Sequence, residues 1–252
     1  MPQDAKSLTR IYFPDGLAPG ATVALPPSAA HHVSRVLRLS VGDTVTLFDG
    51  TGGEYAARLT GVGREGVRAK VGAPSDRERE SPLAITLAQA ISSGERMDYT
   101  VQKAVELGVA ALQPLAAERS VVRLAPERAA RRREHWQHVV AAACEQCGRN
   151  RVPEVRAVCS PEVWLAGLAP AAPAGELRLV LTPGAATRLA DLAPPTAGIL
   201  LVAGPEGGFA PGEQAALEHR GFRPVALGPR ILRTETVAVA ALAALQARWG
   251  DL

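Results

Sequence analysis

The chain has 252 residues, 47% of them hydrophobic and 21% charged, with a formal net charge of +3; this is the composition of a globular protein and excludes a disordered chain. Its three cysteines, Cys144, Cys147 and Cys159, are an odd number in one region, which argues against a disulfide framework and for a reducing, cytoplasmic setting. The N-terminal MPQDAKSLTRIYF lacks the apolar core of a signal peptide, and no run of about 18 apolar residues occurs, so neither a leader nor a membrane span is expected.

Residues 1–73 read as β-rich. Thr44–Phe48 is a short strand ending in the turn dipeptide Asp49-Gly50, Glu54–Thr60 resumes an extended run, and Val67–Val71 alternates apolar and basic residues. Short strands with Gly-rich turns suggest a small barrel. Gly61-Val62-Gly63-Arg64-Glu65-Gly66 matches the dinucleotide fingerprint, but a strand follows it where the fingerprint needs a helix, so a hairpin loop is expected. His31-His32 has no further metal ligand nearby; a helix placing His32, Arg35 and Arg38 on one side suits phosphate contact or simple solvation.

Residues 74–82 are polar, charged and bracketed by prolines, and are read as a linker. From residue 83 to 252 the pattern becomes α/β. Leu83–Ile91 is an apolar strand. Met97, Val101, Ala104 and Val105 fall at helical spacing, with Gly108 placed to end the helix. Ala110–Leu115 is a strand, Glu127–Cys147 a long helix and Pro161–Leu168 a shorter one; Ala169–Gly175 is a surface loop. Leu177–Leu181 and Ile199–Ala203 are apolar without alternation, as strands covered on both faces are. Pro211–His219 is a helix with proline in its first turn, Pro224–Leu227 a short strand and Thr234–Trp249 an Ala-rich helix. This alternation predicts a mostly parallel sheet.

Charge is uneven along this course. From Arg119 to Arg156 nine arginines face four glutamates, leaving +5 there and −2 elsewhere, the footprint of a phosphate-bearing partner or of a solvated helix face. Cys144-x-x-Cys147 is a weak metal signal, because a structural zinc needs four ligands and only Cys159 and His138 could join. No metal is expected.

Three loops, each after a predicted strand, concentrate the features of a site: Leu181-Thr182-Pro183-Gly184, Gly204–Phe209, and Leu227–Thr236. Ligands of open α/β sheets bind beyond the carboxyl ends of the strands. Glycines let backbone groups approach a ligand, prolines lower the cost of ordering a loop, and an adenine ring could lie among Leu227, Ile231 and Leu232.

These loops also carry a resemblance. GPEGGF at 204–209 with LGPRILRTETVAVAALAALQ at 227–246 resembles the signature of the RsmE family, the 16S ribosomal RNA uridine N3-methyltransferases of the SPOUT superfamily. RIYF at 10–13, HHVSRVLRLSVGD at 31–43, LFDGTGGEY at 47–55, ERMDYTVQKAVELGV at 95–109 and AACEQCGRNRVPEV at 142–155 extend it over nearly the whole chain. The resemblance implies a PUA-like N-terminal barrel, a SPOUT-type α/β domain with a trefoil knot, S-adenosylmethionine (AdoMet) as methyl donor, a homodimer, and 16S ribosomal RNA of the small subunit as partner. It implies an AdoMet pocket of Leu181, Thr182, Gly204, Pro205, Glu206, Gly207, Gly208, Leu227, Gly228, Ile231, Leu232, Arg233, Glu235 and Thr236. Ala210 stands where the family has a polar helix cap, so that helix is expected to start on Pro211.

Methyl transfer to uracil N3 needs alignment, removal of the N3 proton and stabilisation of the resulting anion. Among the charged groups of these loops, Arg233 is assigned the anion or a nearby phosphate, and Glu206 the proton. RNA contacts are expected from Arg10, His32, Arg35 and Arg38 in the barrel, and from Arg96, Gln146, Arg149, Asn150 and Arg151 in the catalytic domain. The alternatives are a non-catalytic RNA-binding module, another nucleotide-handling enzyme, and a SPOUT enzyme acting on a different RNA.

Overall fold

The computed structural model describes residues 9–252; residues 1–8, most of the segment in which no leader is expected, lie outside the described residues. The chain divides into two units, one of Met1–Glu80 with Cys144–Val152, the other of Ser81–Ala143 with Pro153–Leu252.

The first unit is built on five strands: β1 (Arg10–Tyr12), β2 (Thr22–Ala24), β3 (Thr44–Phe48), β4 (Glu54–Gly63) and β5 (Gly66–Ser75). They form one sheet in the order β1-β3-β4-β5-β2, with β1 parallel to β3 and the other pairs antiparallel. Period-two alternation decides which face is inside. Ala57 and Leu59 on β4 and Val67, Ala69 and Val71 on β5 are buried, while Arg58, Arg68 and Lys70 between them are exposed. The inward residues meet Ile11, Val45 and Leu47, together with Leu25, Ala30 and Val33, in one core. The Gly61–Gly66 match is a hairpin: β4 ends at Gly63 and β5 begins at Gly66.

The segment carrying His32, Arg35 and Arg38 is helical for only part of its expected length. α1 (Pro27–His31) runs into a π turn over His32–Val36, closed by the Leu37 N–H donating to His32 O at 2.9 Å. Arg38 lies beyond it with φ +53°, in the left-handed region, so the three side chains do not line up along one helix face.

Segment Cys144–Val152 is tied into the first unit by its polar groups. Arg149 donates to Glu80 from Nε at 2.9 Å and Nη2 at 2.5 Å, and the Arg151 N–H donates to the same carboxylate at 3.2 Å. Asn150, fully buried, donates to Arg77 O and accepts from Arg10. The charged residues 74–82 supply partners here: the Gly53 N–H donates to Glu78 Oε1 at 2.6 Å.

The second unit holds a wholly parallel sheet of β6 (Ile85–Ala90), β7 (Ala111–Leu115), β8 (Glu154–Val155), β9 (Leu177–Leu181), β10 (Ile199–Ala203) and β11 (Arg223–Val225). Its order is β11-β9-β10-β6-β7-β8. The crossovers are α2 (Glu95–Glu106), α3 (Pro126–Cys147), α4 (Pro161–Ala166) and α5 (Pro211–His219), and α6 (Thr234–Trp249) closes the chain. On one face Ala88, Leu115, Val180 and Val202 pack under Trp164, Leu217 and Phe222, with the Trp164 and Phe222 rings 5.5 Å apart. Burial on both faces explains why these strands show no alternation. α2 packs on α6 and buries the expected Met97, Val101, Ala104 and Val105.

Candidate active site

Strand order places the site. β11, β9 and β10 are neighbours and parallel, so the loops after Val225, Leu181 and Ala203 emerge side by side at one carboxyl edge. β6 and β7 continue that edge and add the segments that follow them. The result is a pocket of about 830 Å³, within the size range of small-molecule sites.

Of the residues expected to hold a cofactor, Leu181, Thr182, Gly204, Pro205, Glu206, Gly207, Gly208, Leu227, Gly228, Ile231, Leu232 and Arg233 line this one pocket. Glu235 and Thr236 do not; they sit in the first turn of α6. Leu181 and Pro205 are buried, whereas Ile231 is 83% exposed, so Ile231 stands at the mouth.

A hydrogen-bonded chain joins the loops. Gln89 at the end of β6 is fully buried and donates to Thr234 Oγ1 at 3.0 Å; Thr234 in turn donates to Gly204 O at 2.6 Å. The start of α6 is thereby fixed to the ends of β6 and β10. By contrast, the main chain of Leu227–Leu232 makes no hydrogen bond to other protein groups among the described residues. Those N–H and C=O groups stand beside the pocket available to a ligand. Gly228 has φ +105° with open space where a Cβ would project, a conformation that favours glycine.

This donor set suits AdoMet. An adenine edge needs backbone donors and acceptors between apolar walls, and Leu181, Leu227 and Leu232 supply the walls around the free main chain.

The charged groups collect at the mouth. Arg96, expected to contact RNA, lines the pocket and donates to Glu206 Oε1 at 3.2 Å, with Glu235 Oε1 3.8 Å from its Nε. Arg230 and Arg233 line the same mouth. Arg119 also lines it; it was missed because it comes from the segment after β7, which carries no Gly-Pro signature. Its place is set by Glu213, a buried carboxylate whose Oε1 accepts from the Glu118 N–H at 2.8 Å and whose Oε2 accepts from the Ala210 N–H at 2.9 Å. That second bond is half a capping box, so α5 starts on Glu213 as well as on Pro211.

The remaining expected RNA contacts all fall in the first unit, including Gln146, Arg149, Asn150 and Arg151, which the sequence assigns to the catalytic domain but which return to the first unit through the polar contacts of Cys144–Val152, and they divide by exposure. His32, Arg35, Arg38, Gln146 and Arg151 are exposed. Arg10, Arg149 and Asn150 are instead engaged in the interior: Arg10 ion-pairs Glu54 and donates to Arg149 O at 3.2 Å and Asn150 Oδ1 at 2.5 Å. Burial holds the Cys144 thiol up at about 12, and its Sγ lies 3.7 Å from Arg151 O. Among the described residues no group of three or more His, Cys, Asp or Glu side chains could hold a metal ion, and no helix is long and apolar enough to cross a membrane.

Comparison with known proteins finds two matching regions. The family model of an RNA methyltransferase domain matches residues 79–246, and that of an RNA methyltransferase PUA domain matches residues 25–72. The chain is 33% identical to the ribosomal RNA small subunit methyltransferase E of Buchnera aphidicola, covering 98% of this chain and 99% of that one. It is 35% identical to the protein of the same name from Mycobacterium bovis, over 91% and 89% of the two chains. Among solved structures it is similar to the Neisseria gonorrhoeae ribosomal RNA small subunit methyltransferase E bound to S-adenosylmethionine, at 42% identity and TM-score 0.88, covering 97% and 99%. A Legionella pneumophila protein in complex with the same cofactor gives 40% identity and TM-score 0.91 over the same shares. The fold is thus a PUA-like domain with a SPOUT-type α/β domain. Matched along nearly its full length by relatives that share both regions, the chain belongs to the ribosomal RNA small subunit methyltransferase E family, RsmE.

Proposed function

We propose that the protein uses AdoMet to methylate N3 of a uridine in the 16S ribosomal RNA of the small subunit. The observation that carries this reading is the convergence of three Gly- and Pro-rich loops, with unpaired main chain between residues 227 and 232, on one pocket rimmed by arginines. The SAM-bound structure of the Neisseria gonorrhoeae family member, 42% identical, supports the cofactor, and the names of the relatives support the RNA class.

AdoMet supplies an already electrophilic methyl group, so the protein's work is placement. The loops after β9, β10 and β11 hold the cofactor through Leu181, Thr182, Gly204, Pro205, Glu206, Gly207, Gly208, Leu227, Gly228, Ile231, Leu232 and Arg233. Glu235 and Thr236 support it from the first turn of α6. Uracil N3 carries a proton at neutral pH. Glu206, held in place by Arg96, orients or accepts that proton, and Arg233 stabilises the developing anion. N3 lies on the pairing edge, so the base must be unpaired to enter. His32, Arg35, Arg38, Gln146 and Arg151 serve as RNA contacts of the first unit. The protein acts as a homodimer in the cytoplasm.

The test is transfer of labelled methyl from AdoMet to small ribosomal subunits that lack the modification, with the product nucleoside identified by mass. N3-methyluridine in the subunit RNA is the expected product. Methylation confined to transfer RNA, or at another atom, would replace the substrate assignment. Absence of AdoMet binding would leave a non-catalytic RNA-binding module.

A further inference from the structure

Four arginines, Arg96, Arg119, Arg230 and Arg233, line the mouth of the pocket and all are exposed. Only Arg96 is ion-paired, with Glu206 and Glu235; no ion pair involves the other three among the described residues. The four arginines outnumber the two carboxylates that line the same pocket, Glu206 and Glu218, and hold a positive potential there. A cofactor that brings a sulfonium and an ammonium against one carboxylate does not neutralise them. A polyanion does.

Arg119 is set apart from the others by how it is placed. Its segment is pinned on both sides: before it the Glu118 N–H donates to buried Glu213 at 2.8 Å, and after it the Ser120 N–H donates to Ala117 O at 3.0 Å. The side chain then lies along Gly207. A Cβ on Gly207 would stand 3.4 Å from Arg119 Cβ, and Arg119 Nη1 reaches Gly207 O only at a long 3.4 Å. The stem is therefore ordered while the guanidinium keeps most of its donors free. In the strand order Arg119 follows β7 and Arg230 follows β11, so a strand laid across the mouth meets a cation from each side.

We infer that Arg119 grips a backbone phosphate of the RNA strand beside the target base. The inference rests on the methyltransferase reading above and names a contact that reading lacks. An arginine fork matches phosphate geometry through two parallel hydrogen bonds. Arg119 thus contributes to holding the strand, and not to the chemical step.

The experiment uses the full-length protein and its Arg119→Ala and Arg119→Lys variants. Direct binding to 16S ribosomal RNA is followed between about 50 and 200 mM salt, AdoMet binding by calorimetry, and methyl transfer to unmodified small subunits by steady-state kinetics. Arg119→Ala is expected to weaken RNA binding and raise the KM for RNA roughly tenfold, and to reduce the salt slope by about 0.7, the share of one single-strand phosphate. AdoMet affinity and kcat should stay within about twofold of the parent. Arg119→Lys should restore the slope and only part of the affinity, because an ammonium keeps the charge without the fork. A loss of AdoMet affinity would assign Arg119 to the cofactor and overturn the inference. A fall in kcat at unchanged KM would assign it to the reaction, with the same result, and an unchanged slope would leave Arg119 idle. If the parent protein binds no AdoMet, the methyltransferase reading fails, and the salt slope still decides whether Arg119 meets a phosphate.

Discussion

Arg10 ion-pairs Glu54, donates to Arg149 O and Asn150 Oδ1, and lies over the Phe48 ring at 4.8 Å. Both charged side chains are only 12% exposed. Replacing Arg10 by alanine leaves the largely buried Glu54 with only the longer pair to the exposed Arg77, at 3.9 Å, a change that costs about 3 kcal/mol, read as a fall in the denaturant midpoint. Arg35→Ala and Arg38→Ala, on exposed side chains, should leave that midpoint within about 0.5 kcal/mol and flatten the salt dependence of RNA binding instead. This contrast shows what a residue's type leaves unsaid. The basic excess between Arg119 and Arg156 was legible in the sequence. Whether a given arginine meets a carboxylate inside or faces solvent depends on partners far along the chain, such as Glu54 for Arg10 and Glu80 for Arg149. Glu145 is a second case. Burial raises its carboxyl above the usual 4.5, opposed by the hydrogen bond from the Tyr12 N–H and by His32 and Arg10. A raised folded value means the native state holds the proton longer than the unfolded chain, so stability falls as pH rises through that window and the full cost is present above it. Glu145→Gln keeps an acceptor for Tyr12 and removes the charge. It should raise Tm at about pH 7, with the gain vanishing by about pH 4; an equal gain at both would rule out ionisation of Glu145 as the cause.

At the scale of elements, the strongest periodic signals held: the helices over 211–219 and 234–249 match α5 and α6, and Met97, Val101, Ala104 and Val105 are buried on α2. The π turn at His32–Val36 was not legible, because its i to i+5 bond leaves no distinct spacing in so short a segment. The three site loops were legible from glycine and proline, but the bond that locks them was not. Gln89 lies in a strand and Thr234 opens a helix, and neither position carries a motif that pairs them. Thr234 bridges Gln89 Nε2 and Gly204 O, so Thr234→Val removes an acceptor and a donor while keeping the shape. Losing such bonds costs about 1–2 kcal/mol. Because Gly204 and Thr234 each belong to a cofactor loop or its end, AdoMet affinity should fall roughly tenfold, the equivalent of about 1.4 kcal/mol, with Thr234→Ser close to the parent. Calorimetry on the three proteins reads this directly, and an unchanged affinity in Thr234→Val would show that the loops are held by other contacts.

At the scale of the whole molecule, the strand content of the first seventy residues and the α/β alternation after them were visible as a change of period, from two to helical spacing. The return of the chain to the first unit at Cys144–Val152 was not. α3 reads as one continuous helix from Pro126 to Cys147, and nothing in its apolar pattern marks where its last turn changes allegiance. The trefoil knot that the family resemblance implies has no local signature either, since threading is a property of the path and not of local spacing. The grouping of residues 144–152 has a consequence for dissection. A fragment beginning at residue 83 lacks Glu80, Arg77 and Arg10, and so removes the partners of Arg149, Arg151 and Asn150. In the full chain Arg149 is 5% exposed, and a protease needs an extended, accessible backbone at the bond it cuts. Limited trypsin digestion should therefore cut the fragment rapidly after Arg149 and Arg151 while the intact chain resists at Arg149. The rest of the α/β unit should still gain thermal stability from AdoMet, by about 2.7 kcal/mol at a hundredfold excess over Kd, because every residue that lines the pocket is retained. Equal protection of Arg149 in fragment and intact chain would mean that 144–152 is held by contacts within residues 83–252 and not by residues before 83.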